Sequence, residues 1–260
     1  GEMSGNIMGF DCNGFLGTWP FRRFYHGGLD GLKAVHEKAN ITGGWVSSLN
    51  SIFYNDPMEA EELLAEELKN TPYRQVMGVN PMLPAAVSSV KEAMERFNIC
   101  AVRLYPGYHR YRLDDLKLAP FFAEIEKLHI PVLVTMRLED ERLNYLITPR
   151  IITKEEKEAL PKSYPGVRFI YTGMQTYEVT EIAEAFRENN NLYAETSFFK
   201  SPCTAFEDVL KAVPEEKILY GSGYPLNCLQ STWIALQKAY IPQEDKQKIL
   251  YSNIEALTSK

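Results

Sequence analysis

The property that most constrains this chain is a change of hydrophobic period repeated along its whole length. Short apolar, β-branched runs alternate with longer amphipathic ones, and no linker, low-complexity stretch or internal repeat interrupts them. The short runs fall at 7–12, 44–49, 75–80, 100–105, 131–135, 167–171, 192–196 and 218–221. Between them lie helical patterns near 28–39, 57–69, 84–97, 114–129, 154–162, 176–189, 204–212 and 227–239. Strands so spaced, each followed by a helix, form a parallel sheet covered by its crossovers. Eight such units in 260 residues match the size of a closed barrel. The expectation is an α/β fold: one domain over 1–260, a single (β/α)8 TIM barrel. A further C-terminal helix over 243–257 follows Pro242.

Several boundaries have local causes. Asp56-Pro57 starts a helix, since Asp accepts from orphan amides and Pro needs no N–H at the first helical position. Asn189-Asn190-Asn191 is expected to end the sixth helix through a left-handed residue. His129 reads as a C-terminal cation, and His36 as a residue on the solvated face of its helix. The segment 138–165 is long for a βα connection and suggests an excursion over the barrel mouth.

Composition excludes some partners. A net charge of −6 and a pI near 5.4 give no basic surface for nucleic acid or anionic lipid. No apolar run approaches the roughly 18–20 residues of a membrane helix. The opening GEMSGNIMGF lacks the basic and apolar regions of a signal peptide. Cys12, Cys100, Cys203 and Cys228 form no CxxC pair and read as free thiols of a reducing, cytoplasmic compartment.

Chemistry on such a barrel belongs to the C-terminal ends of the strands. Those ends carry Asn13, Phe15, Trp19, Arg22, Arg23, His26, Ser47, Ser48, Asn50, Asn80, Arg103, Tyr105, Tyr108, His109, Thr135 and Arg137. Glu139, Asp140, Arg142, Thr172, Gln175, Glu195, Ser197, Ser222 and Tyr224 complete the set. Guanidinium groups fit carboxylates bidentately, so the excess of arginine points to a small carboxylated ligand. Arg103 and Arg137 carry that expectation, with Arg22, Tyr105, Tyr108, His109 and Ser222 as further ligand-binding residues. The alternative is that the arginines pair with Glu139, Asp140 and Glu195 to fill a polar barrel top. The candidate catalytic residues are Glu195 as general base, Arg137, and Asn13 as a group that orients a carbonyl, with Tyr105 or Tyr108 as proton donor. Trp19, Phe21, Phe24, Tyr25, Phe198 and Phe199 would wall the pocket, or else cover the barrel end or join two copies, which leaves a homo-oligomer open.

The opening MGFDCNGFLGTWPFRRF resembles the first strand of amidohydrolase-related barrels, which ends in Asp-x-His-x-His-x-Gly. AVRLYPGYHRYRLDD, PVLVTMR, FIYTGMQ, NLYAETSFF, ILYGSGYPLN and DKQKILYSNIEAL are similar, in order, to later segments of that family. The resemblance implies hydrolysis of lactones or amides, or decarboxylation of aromatic acids, with a divalent metal, typically zinc, that lowers the pKa of bound water. Its metal-ligand positions are substituted here. Asn13 and Phe15 stand for the two first-strand histidines, Thr135 or Arg137 and Thr172 for later ones, and Gly223 for the strand-eight Asp. The expectation is therefore a divergent, metal-free member without a cofactor, acting on or binding a small carboxylate. A metal site built from Cys203 and Cys228 with His26 or His109 is the rival within that chemistry. The alternative class is a non-catalytic barrel kept for ligand binding or subunit contact.

Overall fold

The computed structural model describes residues 8–24, 27–53, 56–139 and 148–259. Tyr25, His26, Asp140 and Arg142 lie outside them. Eight strands are present: β1 (Gly9–Leu16), β2 (Ile41–Ser48), β3 (Tyr73–Val79), β4 (Ile99–Leu104), β5 (Val132–Thr135), β6 (Phe169–Thr172), β7 (Leu192–Glu195) and β8 (Ile218–Leu219). They form one sheet in chain order, and each ladder is parallel, as in the pairing of Val134 with Tyr171. Three backbone bonds join the ends of the sheet: Cys12 N–H to Tyr220 O (3.0 Å), Phe15 N–H to Tyr224 O (2.9 Å) and Gly223 N–H to Asn13 O (2.8 Å). The sheet is a nearly closed barrel.

The helices are α1 (Leu29–Lys38), α2 (Pro57–Leu68), α3 (Ala86–Arg96), the single turn α4 (Pro106–His109), α5 (Ala119–Leu128) and α6 (Lys154–Ser163). Then come α7 (Thr176–Glu181), α8 (Ala183–Glu188), α9 (Ala205–Ala212), α10 (Leu229–Lys238), α11 (Gln243–Gln247) and α12 (Asn253–Thr258). No helix among the described residues is long and apolar enough to cross a membrane. The Asp56 side chain caps α2 by accepting from Met58 N–H at 3.1 Å, with Pro57 at the first position.

Four local expectations are corrected. The sixth helix is broken at Ile182, whose amide bonds the Val179 carbonyl three residues back and whose side chain is buried. Its C-terminus has no left-handed residue: Asn189 is extended, and its side-chain amide donates to Ala185 O at 2.8 Å. His36 is 2 % exposed and bonded on both ring nitrogens. The C-terminal helix is also not continuous: a π-helical turn, Lys248–Ser252, separates α11 from α12. Within that turn the Ile249 carbonyl accepts from Tyr220 N–H at 3.0 Å, tying the end of β8 to the tail.

Alternation along each strand divides the core. Val102, Leu104, Val132, Val134, Phe169 and Tyr171 face outward, in the cluster that holds Val90, Phe122 and Phe186 of the helices. Trp45, Val76, Ala101, Leu133, Ile170, Tyr193 and Leu219 fill the lower barrel interior, closed from below by Ile254 and Leu257 of α12. Two residues further along the same strands the interior becomes polar.

Candidate functional site

That upper layer is centred on Arg103, which is 0 % exposed. Its guanidinium donates to Ser47 Oγ (2.9 Å), Thr135 Oγ1 (3.0 Å), Thr172 Oγ1 (3.3 Å) and Asn13 Oδ1 (2.6 Å). The Phe15 ring lies 4.6 Å from the guanidinium carbon, a favourable stacking for a desolvated cation. Asn13 relays the charge: its amide N–H donates to Glu195 Oε2 at 3.1 Å. Glu195 also accepts from Gly173 N–H (2.8 Å), Ser197 N–H (3.0 Å) and Ser197 Oγ–H (2.6 Å). Both carboxylate oxygens therefore carry two hydrogen bonds. Burial pushes the Glu195 pKa up, opposed by the Ser197, Gly173 and Asn13 donors, and burial lowers that of Arg103. Gly221 is needed here, because a Cβ on it would stand 2.2 Å from Glu195 Oε2.

A register shift in β1 between Asp11 and Gly14 lets two nearby residues serve opposite sides of the sheet. Asn13 faces inward, while Asp11 turns to α1, where its Oδ2 meets His36 Nε2 at 2.8 Å, and His36 Nδ1 meets Tyr73 Oη at 2.8 Å. Ser222 donates to the same carboxylate through its amide (3.0 Å) and hydroxyl (2.5 Å). Burial would raise the Asp11 pKa, but these partners hold it below the usual value. Ser222 is thus an internal donor, fully buried.

Above Arg103 an aromatic layer lines the mouth, and beside it a pocket is bounded by Trp19, Phe21, Arg22 and Phe24. Phe15, Trp19, Leu49, Ile52, Tyr105, Leu138 and Leu226 form one buried cluster, with Phe21, Phe24 and Tyr108 packed on it. Trp19 meets Phe21 at 5.3 Å and Tyr108 at 6.0 Å between ring centroids. Phe199 is not part of this wall; it packs on Phe206 in the outer core. Arg22, its side chain 39 % exposed, donates to Leu226 O at 2.6 Å and lies 3.9 Å from Glu139 Oε1. His109 Nε2 meets Ile52 O at 2.9 Å, and burial lowers its pKa. Among the described residues, four buried polar atoms here have no hydrogen-bond partner: Trp19 Nε1, Tyr105 Oη, His109 Nδ1 and Glu139 Oε1.

Arg137 sits apart from Arg103. It makes a bidentate pair with Glu178 and donates to Gly173 O at 2.7 Å, and Lys157 reaches the same carboxylate at 3.4 Å. Glu178 and Lys157 are the partners of Arg137 that the sequence did not single out. The Gln175-x-x-Glu178 capping-box spacing was the available signal for the first; nothing in the sequence marked Lys157.

The residues at the implied metal-ligand positions do not fit a divalent ion. Asn13, Thr135 and Thr172 offer neutral oxygens already bonded to a guanidinium, Phe15 offers none, and Gly223 has no carboxylate. Among the described residues no three of His, Cys, Asp and Glu converge as a metal would require.

The pattern that defines the Amidohydrolase family matches residues 34–257. No curated protein matches the chain. Among solved structures, 2,6-dihydroxybenzoate decarboxylase from Rhizobium superposes with a TM-score of 0.73 at 15 % identity, covering 97 % of this chain and 98 % of that one. For 5-carboxyvanillate decarboxylase from Sphingomonas paucimobilis the TM-score is 0.74 at 12 % identity, over 97 % and 99 %. A dihydroxybenzoic acid decarboxylase from Polaromonas sp. JS666, solved with bound manganese and the inhibitor 2-nitroresorcinol, gives 0.74 at 15 % identity, over 96 % of each chain. At such identities the likeness is one of fold.

Proposed function

Since this chain belongs to the Amidohydrolase family, we propose that it is a metal-independent member that binds a small carboxylated molecule at the barrel mouth without hydrolysing it. The observation that carries the binding is the pair of unpartnered buried donors, Trp19 Nε1 and Tyr105 Oη, in an aromatic cluster beneath Arg22. A buried donor left unpaired costs about 1–3 kcal/mol, which an entering ligand oxygen would recover. Arg22 supplies the cation at the rim, and the rings around Trp19 suit a flat ligand. The decarboxylases of like fold act on carboxylated aromatic compounds, as their names state, and this supports the ligand class. The absence of chemistry rests on Glu195, whose oxygens are both doubly bonded to donors and hold no free site for a substrate proton.

A catalytic reading has one observation of its own. Glu139 presents a buried oxygen without a hydrogen-bond partner beside Arg22, the placement a general base would need.

Titration of chelator-treated protein with substituted benzoates and lactones, followed by Trp fluorescence and calorimetry, tests the proposal. Saturable binding is expected, weakened about tenfold by Trp19→Phe, which removes the N–H and keeps a ring. Chromatography after long incubation should recover the ligand intact. Turnover lost in Glu139→Gln would establish the catalytic reading instead, and failure of every carboxylate to bind would reject both.

A further inference from the structure

The positions that the family resemblance assigns to metal ligands are not scattered in the folded chain. Asn13, Thr135 and Thr172, from β1, β5 and β6, all hydrogen-bond to one group, the Arg103 guanidinium, and Phe15 stacks on it at 4.6 Å. We propose that Arg103 is a built-in cation that takes the place of a divalent ion at the centre of the barrel. The inference extends the metal-independent half of the function above and does not depend on which ligand the mouth receives.

Donor chemistry explains the substitutions as a set. A metal needs lone pairs from imidazole or carboxylate, whereas a guanidinium has N–H groups only and needs acceptors that bring no positive charge. Hydroxyl and amide oxygens meet that need, and Ser47, Thr135, Thr172 and Asn13 provide them. Asn13 then passes its own N–H to Glu195, so a single cation and a single carboxylate are linked across one amide in a water-excluded layer. Arg103 reaches the centre from β4 because its neighbour two residues earlier, Ala101, is part of the inward apolar layer. A divalent ion entering here would meet a fixed like charge at contact distance, with the oxygens that would hold it already engaged.

Two measurements test this, and both read something other than activity. Wild-type protein dialysed against manganese, then freed of excess, is expected to carry only traces of metal by elemental analysis. Arg103→Ala empties the guanidinium cavity, so millimolar methylguanidinium should raise its Tm by about 3 °C while leaving wild type unchanged. Tetramethylammonium, a cation without N–H donors, should not rescue it. If Arg103→Ala does not fold, Arg103→Lys keeps the charge, and it is expected to fold with a lower Tm and to take up no manganese. Stoichiometric manganese in wild type would overturn the proposal. So would a folded Arg103→Ala that is indifferent to methylguanidinium, or an Arg103→Lys that takes up manganese. Failure of carboxylates to bind would strike the proposed function and leave this inference standing.

Discussion

The barrel interior holds two layers built by the same strands and separated by one pleat. Trp45, Ala101, Leu133, Ile170 and Tyr193 make the lower one. Ser47, Arg103, Thr135, Thr172 and Glu195, each two residues later, make the upper. The lower layer is packed from apolar side chains, with Lys217 Nζ 5.1 Å from the Tyr193 ring, so volume governs the stability of its aliphatic members. In the upper layer the Arg103 charge is balanced through Asn13 by Glu195, and each member depends on the others. Equal burial thus conceals two kinds of cohesion, one additive and one collective.

The difference can be broken from either side. Glu195→Ala leaves the Arg103 guanidinium buried without the carboxylate to which Asn13 links it. It should cost about 4 kcal/mol in urea unfolding, the range found for breaking a buried ionic arrangement. A loss near 1 kcal/mol would show that the layer is not collective. Leu133→Ala in the lower layer should cost about 3 kcal/mol by the same measurement, with no change between pH 5 and pH 8. A pH-dependent loss there would mean that the two layers are coupled.

Glu61 of α2 extends the contrast outside the barrel. This buried carboxylate accepts from Ser51 Oγ–H (2.6 Å), Gln75 Nε2 (2.7 Å) and Gly78 N–H (2.9 Å). Burial outweighs those bonds and raises its pKa from 4.5 to about 6. A raised carboxyl pKa means that the folded state holds the proton more tightly. The stabilisation is therefore complete below about pH 4.5 and is lost as pH rises through about 6. Relative to Glu61→Gln, wild type should lose about 2 kcal/mol between pH 4.5 and pH 7.5. A constant difference between the two proteins would place the Glu61 carboxyl at an ordinary pKa.

The smallest effects separate the layers by removing one small group from each. Thr172→Val removes one hydroxyl that accepts from Arg103 and should cost about 1.5 kcal/mol. Ile170→Val, one pleat below, removes one methylene and should cost about 1 kcal/mol. Combining Thr172→Val with Glu195→Ala should depart from additivity, whereas combining Ile170→Val with Glu195→Ala should not.

Hydrophobic period, read along 260 residues, located all eight strands and a helix after each, but neither the single turn α4 nor the break at Ile182, because a strand buried on both faces and a helix buried on one leave different patterns. It also brought Asn13, Arg103, Thr135, Thr172 and Glu195 to one end of the barrel, since strand ends of a parallel barrel share a face. Partners could not be read the same way. His36 was expected in solvent, and only the register shift in β1 turns Asp11 toward it. Arg103 and Arg137 read alike in sequence, yet one is held by neutral oxygens around the barrel axis and the other by Glu178 beside β6. Strand position is local and periodic, so the chain itself determines it. Which polar atom meets which across 90 or 182 residues is set by the closure of the barrel, and only the tertiary structure decided it.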